Sequence, residues 1–206
     1  MRDFRCRGHR AAETEDTDIF MELAMTEEKR INQSTLRLIK DDVTDIDIDA
    51  FVFYAQPNLA LGAGFGTAIS TRGGASIQKE LDEIASPIAT GDAVVSSAGK
   101  LKAKYIIHAV GPRFQEEDTE DKLRTTMRSA LKRAEENGFE RIAFPAMGVG
   151  FYGIPLDLCA RVMIEAIKDH LEGETGIKEV IICVLDSREY KPFQSQFAKV
   201  EYEDGN

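Results

Sequence analysis

The chain alternates short, continuously apolar segments with segments of helical periodicity, and this alternation constrains its fold most strongly. The clearest apolar segments are Ala50 to Ala55, Ile142 to Phe144 and Val180 to Leu185. A strand that is apolar at every position has both faces covered, which is typical of a parallel sheet with helices on each side. The alternation therefore predicts an α/β fold, a three-layer α/β/α sandwich around a central mixed, mostly parallel sheet.

The segment from Arg141 to Gly153 combines a short apolar strand with a glycine-rich loop. Its glycines are Gly148, Gly150 and Gly153, and a helical pattern begins directly afterwards at Pro155. Glycine lets the backbone approach a ligand closely, and a loop that runs from a strand into a helix directs N–H groups toward an anion. A plain strand-to-helix turn is the alternative interpretation, because a glycine loop alone is a weak signal.

A second glycine-rich segment, Gly62 to Gly66, follows the apolar segment Ala50 to Ala55 and precedes a helical pattern that begins near Thr67. In open α/β sheets the loops at the carboxyl ends of the strands meet at one edge, where ligands bind. If both glycine loops lie at this edge, they can hold a diphosphate from two sides. Asp42 and Val43 follow a strand predicted near 34–40 and could lie at the same edge. There, Asp42 could accept a hydrogen bond from an amine of the ligand. The alternative is that Asp42 is one solvated member of an acidic loop.

The remaining patterns predict a pair of strands at Gly91 to Ala98 and Lys104 to Val110, followed by helices. The first of these helices is expected to begin at Asp118 or Thr119, where either side chain can cap it. The last is expected to begin near Pro192, because proline is tolerated in the first turn of a helix.

Residues 1–30 differ from the rest of the chain. Basic residues crowd the first ten positions, acidic residues follow, and apolar residues are sparse before Ile19. We expect an N-terminal tail, either disordered or with one short helix near 18–29, and a single domain over residues 31–206. Met21 and Met25 are alternative starts of the native product.

The charge and cysteine content narrow the functional classes. The formal net charge is −10, which argues against direct binding of nucleic acid, because such binding relies on Lys and Arg. No apolar run approaches the length of a membrane helix. The three cysteines match no zinc spacing and are typical of a reducing cytoplasm. No pattern indicates a metal site or a cofactor.

Five segments, in the same order along the chain, resemble the motifs of macro domains. They are Leu38 to Thr44, Asp49 to Val52, Gly91 to Val95, Leu101 to Pro112 and Ile142 to Gly153. The resemblance covers about residues 34–200. It implies a binding site for ADP-ribose or for an ADP-ribosylated protein.

Carried over by position, the resemblance assigns a role to each part of the site. Asp42 would hold the adenine amine, with Val43 beside it, and Leu185 would lie against adenine. The first loop, through Gly62, Ala63, Gly64 and Phe65, would contact the diphosphate and the distal ribose. The second loop would close the other side of the diphosphate, through Gly148, Val149, Gly150, Phe151 and Tyr152.

The chain departs from the hydrolytic members of the family in two segments. Where those members have two asparagines, this chain has Phe53-Tyr54-Ala55-Gln56, and where many have an aspartate it has Gly66. Gln56 is the remaining candidate for a catalytic residue, but its extra methylene displaces the amide, and small displacements cost catalysis heavily. In this respect the chain resembles the non-hydrolysing macro domains. His108 lies in an apolar strand, and we expect a core histidine rather than a base.

Three functional hypotheses follow. The first is an ADP-ribose-binding module with weak or no turnover. The second is an enzyme, an ADP-ribosyl hydrolase or an O-acetyl-ADP-ribose deacetylase, in which Gln56 or the phosphate of the substrate orients water. The third is a scaffolding domain whose cleft is filled by Phe53, Tyr54 or Phe65.

Overall fold

The computed structural model describes residues 26–200 of the 206-residue chain. Within them, a seven-stranded sheet has the order β1-β2-β7-β6-β3-β5-β4. Strands β2, β7, β6, β3 and β5 run parallel, and β1 and β4 join the two edges in antiparallel orientation. The strands are β1 (Thr26–Ile31), β2 (Ser34–Lys40), β3 (Ala50–Ala55), β4 (Ala93–Ser97), β5 (Tyr105–Val110), β6 (Arg141–Phe144) and β7 (Glu179–Val184). The predicted mixed, mostly parallel sheet is confirmed.

Helices cover both faces of this sheet. The helices of the described residues are α1 (Phe65–Gly73), α2 (Ser76–Asp82), α3 (Thr119–Glu136), α4 (Leu156–Leu171) and α5 (Ser187–Phe197). One apolar cluster joins α3, α4 and α5 to one face of the sheet, and a second joins α1 and α2 to the other. Alternate residues of β3 divide between them, since Val52 belongs to the first cluster and Phe51 to the second. The α/β/α sandwich is therefore present as predicted.

The register of the parallel strands places their carboxyl ends at one edge. Lys40 pairs with Val184, and Ala55 pairs with Val110. The segments that leave these ends include residues 41–45 after β2, 56–64 after β3 and 145–155 after β6. Both glycine loops therefore lie at the same edge, as the sequence predicted. No helix within residues 26–200 has the length and apolar character needed to cross a membrane.

The prediction of a tail with a helix near 18–29 is wrong over residues 26–29, which form most of β1 instead. This strand alternates exposed and partly exposed side chains and pairs only with β2, so it shows no apolar signal. The rest of the predicted tail, residues 1–25, lies outside the described residues.

Two predicted helix starts are also corrected. The helix expected from Thr67 begins at Phe65, directly after Gly64. The last helix begins at Ser187 rather than near Pro192, because the Asp186 carboxylate accepts hydrogen bonds from the N–H groups of Arg188 and Glu189, both at 2.9 Å. This cap fixes the first turn and leaves Pro192 inside α5.

Candidate functional site

A cavity of about 290 Å³ lies at the carboxyl edge of the sheet, between the two glycine loops. It is enclosed by the end of β3, the first loop, the second loop, the end of β7 and the first turn of α5. Nine of the residues predicted for the site line it: Gln56, Ala63, Gly64, Phe65, Gly148, Val149, Phe151, Tyr152 and Leu185. The geometry thus brings both loops to one cavity.

The second loop leaves a series of backbone donors without a partner. Gly153 N–H donates to Gly150 O at 3.0 Å and Ile154 N–H to Gly148 O at 3.1 Å, which turns the loop on itself. Within residues 26–200, the N–H groups of 148–152 donate to no protein acceptor. Gly148 and Gly150 have φ of +71° and +90°, values that glycine adopts readily. The loop therefore offers a run of free amides to an anion.

The first loop has the same property. The N–H groups of Gly66 and Thr67 bond back to Ala63 O and Gly64 O, both at 3.1 Å. In the described part of the chain, the N–H groups of 62–65 have no protein acceptor. Helix α1 begins at Phe65, and no side chain caps it. The positive end of its dipole therefore adds to the attraction for a negative group.

Aromatic side chains build the wall of the cavity without filling it. Tyr54 and Tyr152 pack with ring centroids 4.5 Å apart, and the Tyr54 hydroxyl donates to Pro112 O at 2.5 Å. Phe53 and Phe65 contact each other at 5.7 Å. Burial raises the pKa of Tyr54, so its hydroxyl stays protonated and keeps this bond. These rings leave the cavity open, which disfavours the hypothesis of a blocked cleft.

Asp42 lies beside the cavity rather than in its lining. Its Oδ1 accepts hydrogen bonds from Thr44 N at 3.0 Å and from the Thr44 hydroxyl at 2.7 Å, and Arg72 Nη1 donates to Oδ2 at 2.5 Å. Burial alone would raise the pKa of Asp42, but the bonds from Thr44 and Arg72 outweigh it and lower the pKa. Asp42 is therefore ionised at neutral pH, with one lone pair of Oδ2 still available.

Three other predicted residues also lie outside the lining. Val43 is buried in a short 3₁₀ turn, Val43–Asp45, where it packs in the core. Gly62 and Gly150 belong to the two loops but do not line the cavity. Their role toward a ligand stays a prediction that rests on their free backbone amides.

Sequence reasoning missed part of the lining. Two missed residues, Pro145 and Ala146, come directly after β6, so the rule that sites follow strand ends would have found them. Cys183 lies in β7 and Glu189 in the first turn of α5, where no local pattern marks them. Ala60 was missed as well, and Phe53 and Tyr54, which the sequence placed at the cleft only under the hypothesis of a filled cleft, also line the cavity.

Arg72 and Arg141 are the arginines nearest to the glycine loops along the chain, and neither of them lines the cavity. Arg72 pairs with Asp42. Arg141 starts β6 and therefore lies at the opposite edge of the sheet, where its Nε donates to Glu179 at 2.7 Å. The cavity is thus lined without an arginine or lysine side chain among the described residues.

Gln56 connects the cavity to a second, more open cleft of about 720 Å³. Both spaces share Gln56, Phe151 and Tyr152, and Arg113 and Phe114 line the far side of the cleft. Within residues 26–200, the Gln56 side chain has no hydrogen-bond partner in the protein. Its amide is consequently free to contact a ligand or a water molecule.

His108 lies in the core and away from the cavity, as expected of a structural histidine. It is fully buried, its Nε2 lies 2.7 Å from Ser96 Oγ, and Phe53 packs against its ring at 5.8 Å. Burial lowers its pKa to about 3. The imidazole is therefore neutral in the folded protein over the physiological pH range.

The depressed pKa of His108 predicts an acid-sensitive fold. Between the folded value of about 3 and the unfolded value of about 6.5, the unfolded chain binds a proton that the folded protein does not. The free energy of unfolding should therefore fall by about 1.4 kcal/mol for each pH unit below about 6.5. Urea unfolding between pH 7 and pH 5 measures this slope.

The matched variant is His108→Gln, which keeps a polar group and removes the titration. The slope of its unfolding free energy against pH should be smaller than that of the wild type over the same range, by about 1.4 kcal/mol per pH unit, because one proton is no longer taken up on unfolding. Identical slopes for the two proteins would show that His108 is not the group responsible.

The two described cysteines show no sign of reactivity. Cys159 Sγ contacts Met147 O at 3.2 Å, and Cys183 Sγ contacts Asp41 O at 3.1 Å. Burial raises the pKa of Cys183 to about 12, and it raises that of Cys159 as well. Both thiols are therefore protonated. Within residues 26–200, no group of three or more His, Cys, Asp or Glu side chains could hold a metal ion.

Comparison with known proteins assigns this architecture to a family. The family model described as Macro domain matches residues 54–163. An uncharacterized protein of Saccharolobus solfataricus is 43% identical over 79% of this chain and 92% of its own length. A macro domain-containing protein of Caldanaerobacter subterraneus is 36% identical over 81% of this chain and 97% of its own length.

A solved structure shows the same fold. A variant of the Oceanobacillus iheyensis macrodomain, solved with ADPR (ADP-ribose), superimposes with a TM-score of 0.81 at 25% identity, over 85% of this chain and 98% of that one. The strand order, the two glycine loops and these matches agree, and the chain belongs to the macro domain family.

Proposed function

We propose that this protein binds ADP-ribose, either free or attached to a protein, with little or no turnover. The observation that carries the proposal is the pair of loops whose N–H groups, 62–65 and 148–152, have no protein acceptor within the described residues and border one cavity. Such donors hold a diphosphate through hydrogen bonds to charged oxygens, each contributing about 1.5–3 kcal/mol. The related macrodomain solved with ADPR supports this choice of ligand.

The walls of the cavity suit the two ends of this ligand. Leu185, whose exposed fraction is 67%, offers an apolar surface. Asp41 N–H donates to Val184 O at 3.0 Å, so Asp42 and Leu185 each follow a residue of this contact, an arrangement that suits a base with an amine. Phe151 and Tyr152 lie toward the second cleft, where the distal ribose would extend. Because no cationic side chain lines the cavity among the described residues, backbone amides and the α1 dipole neutralise the phosphates.

Titration calorimetry with ADP-ribose tests the proposal. We expect saturable binding of one molecule per chain, and weaker binding of adenosine, which lacks the diphosphate. No detectable heat at high micromolar protein would end this interpretation.

Asp42→Ala should weaken ADP-ribose binding by about 1–3 kcal/mol if the carboxylate accepts the adenine amine. The matched control is Asp45→Ala in the same 3₁₀ turn, where the exposed carboxylate pairs with Lys102 at 3.1 Å. The control should bind normally, because Asp45 points to a lysine outside the cavity lining. Equal affinities for Asp42→Ala and the wild type would remove Asp42 from the site.

The second candidate function is hydrolysis of an ADP-ribosyl linkage, and the position of Gln56 favours it. Its amide, which has no protein partner within residues 26–200, lies where the cavity opens into the second cleft, so it can position a water. Its longer side chain, compared with asparagine, argues for low efficiency. Incubation with an ADP-ribosylated protein separates the two functions. Multiple turnover that Gln56→Ala reduces would establish the enzyme and contradict the binding-only proposal.

A further inference from the structure

Glu189 is the one charged side chain that lines the cavity, as far as residues 26–200 are concerned. It lies in the first turn of α5 and is partly buried. Its Oε2 accepts a hydrogen bond from Leu185 N at 3.0 Å, which fixes the carboxylate beside Leu185. Over the same residues its Oε1 has no protein partner. A free carboxylate oxygen is therefore held at the cavity wall.

Because of this carboxylate, one end of the cavity attracts a negatively charged group and the other repels it. The end formed by the glycine loops offers free N–H groups and attracts a negative group. Where Leu185 and Glu189 line the cavity, the Leu185 N–H is already bonded to Glu189 Oε2, so the carboxylate presents an acceptor and its charge repels a negative group. A ligand with a diphosphate at one end and hydroxyl or amine donors at the other fits in one direction only.

We infer that Glu189 accepts a hydrogen bond from a hydroxyl of the adenosine ribose and excludes ligands that carry a phosphate on that ribose. The inference rests on the proposed function, since it assumes that ADP-ribose occupies the cavity. Its general basis is the logic of dinucleotide sites, in which an acidic residue binds the ribose 2′-hydroxyl and an arginine accommodates a 2′-phosphate. The protein should accordingly select ADP-ribose over its 2′-phosphorylated form.

A basic residue, Arg188, is the neighbour of Glu189 in the sequence and would favour a ligand with a phosphate on this ribose. Its contacts keep it away from the cavity. The Arg188 side chain is exposed, and its Nη2 lies 3.6 Å from Asp186 Oδ2. It is absent from the cavity lining, whereas Glu189 belongs to it. We therefore expect repulsion by Glu189 to dominate at this end.

The test compares the affinities of ADP-ribose and ADP-ribose 2′-phosphate for three proteins by calorimetry. The wild type should bind ADP-ribose at least about tenfold more tightly, because a carboxylate and a phosphate several ångströms apart repel each other even in a well-solvated site. Glu189→Gln should bring the two affinities close together. The glutamine oxygen can still accept the bond from Leu185 N, so the fold at this turn is preserved.

The control is Glu140→Gln, which makes the same change of charge at an exposed position. Glu140 directly precedes β6 and lies at the opposite edge of the sheet, so this variant should keep the wild-type selectivity.

The outcomes separate the two proposals. If the wild type binds ADP-ribose but Glu189→Gln leaves its selectivity unchanged, the inference is wrong and the proposed function stands. If the wild type prefers the 2′-phosphorylated form, the inference is equally overturned. If the wild type binds neither ligand, the proposed function fails and the inference fails with it.

Discussion

Gly150→Val is expected to weaken ADP-ribose binding by about 3 kcal/mol or more, which is over a hundredfold. Gly150 has φ of +90°, and valine is strongly disfavoured there. The backbone of the loop must shift to relieve the strain, and the N–H groups of 148–152, which have no acceptor in the described part of the chain, shift with it. Because a Cβ at Gly150 meets nothing within 4 Å, the loss reflects backbone conformation rather than a clash.

Gly138→Val is the matched control for strain. Gly138 also has a positive φ, +66°, and open space around its Cβ, but it follows α3, away from the cavity. Both valine variants should lose a similar amount of stability in urea, about 1–3 kcal/mol. Only Gly150→Val should lose ligand affinity. Gly148 is a poorer test, because its Cβ would lie 2.4 Å from Ile154 Cδ1 and would disturb the fold.

The arginine variants provide the contrast. Arg141→Ala should bind normally, because Arg141 lies at the opposite edge of the sheet. Arg72→Ala should have a smaller effect than Gly150→Val, since Arg72 contacts Asp42 and the Thr44 hydroxyl and does not line the cavity. If either arginine variant abolished binding while Gly150→Val left it intact, side-chain cations rather than backbone amides would hold the diphosphate.

Gly111→Ala is expected to reduce the free energy of unfolding by about 3 kcal/mol and to abolish binding. A Cβ at Gly111 would lie 2.3 Å from the Tyr54 Cζ and Oη atoms. The ring would have to leave its place, which breaks the bond from its hydroxyl to Pro112 O and the packing on Tyr152. Urea unfolding measures the stability, and calorimetry measures the binding.

Gly173→Ala is the control for this substitution, since its Cβ would make only an ordinary contact of 3.4 Å with His170 O. It should alter neither stability nor binding. Adding Tyr54→Leu to Gly111→Ala should destabilise by less than the sum of the single changes, because the smaller side chain removes the clash. Strict additivity would mean that the Gly111 effect does not pass through Tyr54.

Much of the fold could be predicted because burial leaves a periodic signal. Strand β3 is apolar at every position because helices cover both faces of the sheet there. Strand β1 was not predicted because it pairs with β2 only and carries charged residues. Neither strand propensity nor an apolar pattern therefore marks it in the sequence. The start of α5 was placed too late because Pro192 suggested a first turn, whereas the Asp186 cap fixes the start at Ser187.

The site was predictable where chain order determines it. Both glycine loops follow parallel strands, so topology alone placed them at one edge. The contact between Asp42 and Arg72 joins residues thirty positions apart, and no local pattern encodes it. Glu189 was missed for a similar reason, since its place at the cavity depends on the bond to Leu185 N.

An NMR titration of the ¹⁵N-labelled protein with ADP-ribose tests whether the backbone N–H groups of the two glycine loops hold the diphosphate. We expect the backbone amide signals of 62–65 and 148–152 to shift most on saturation, because these N–H groups acquire phosphate oxygens as acceptors. Saturable binding with the largest shifts elsewhere, and with both loops unaffected, would contradict it.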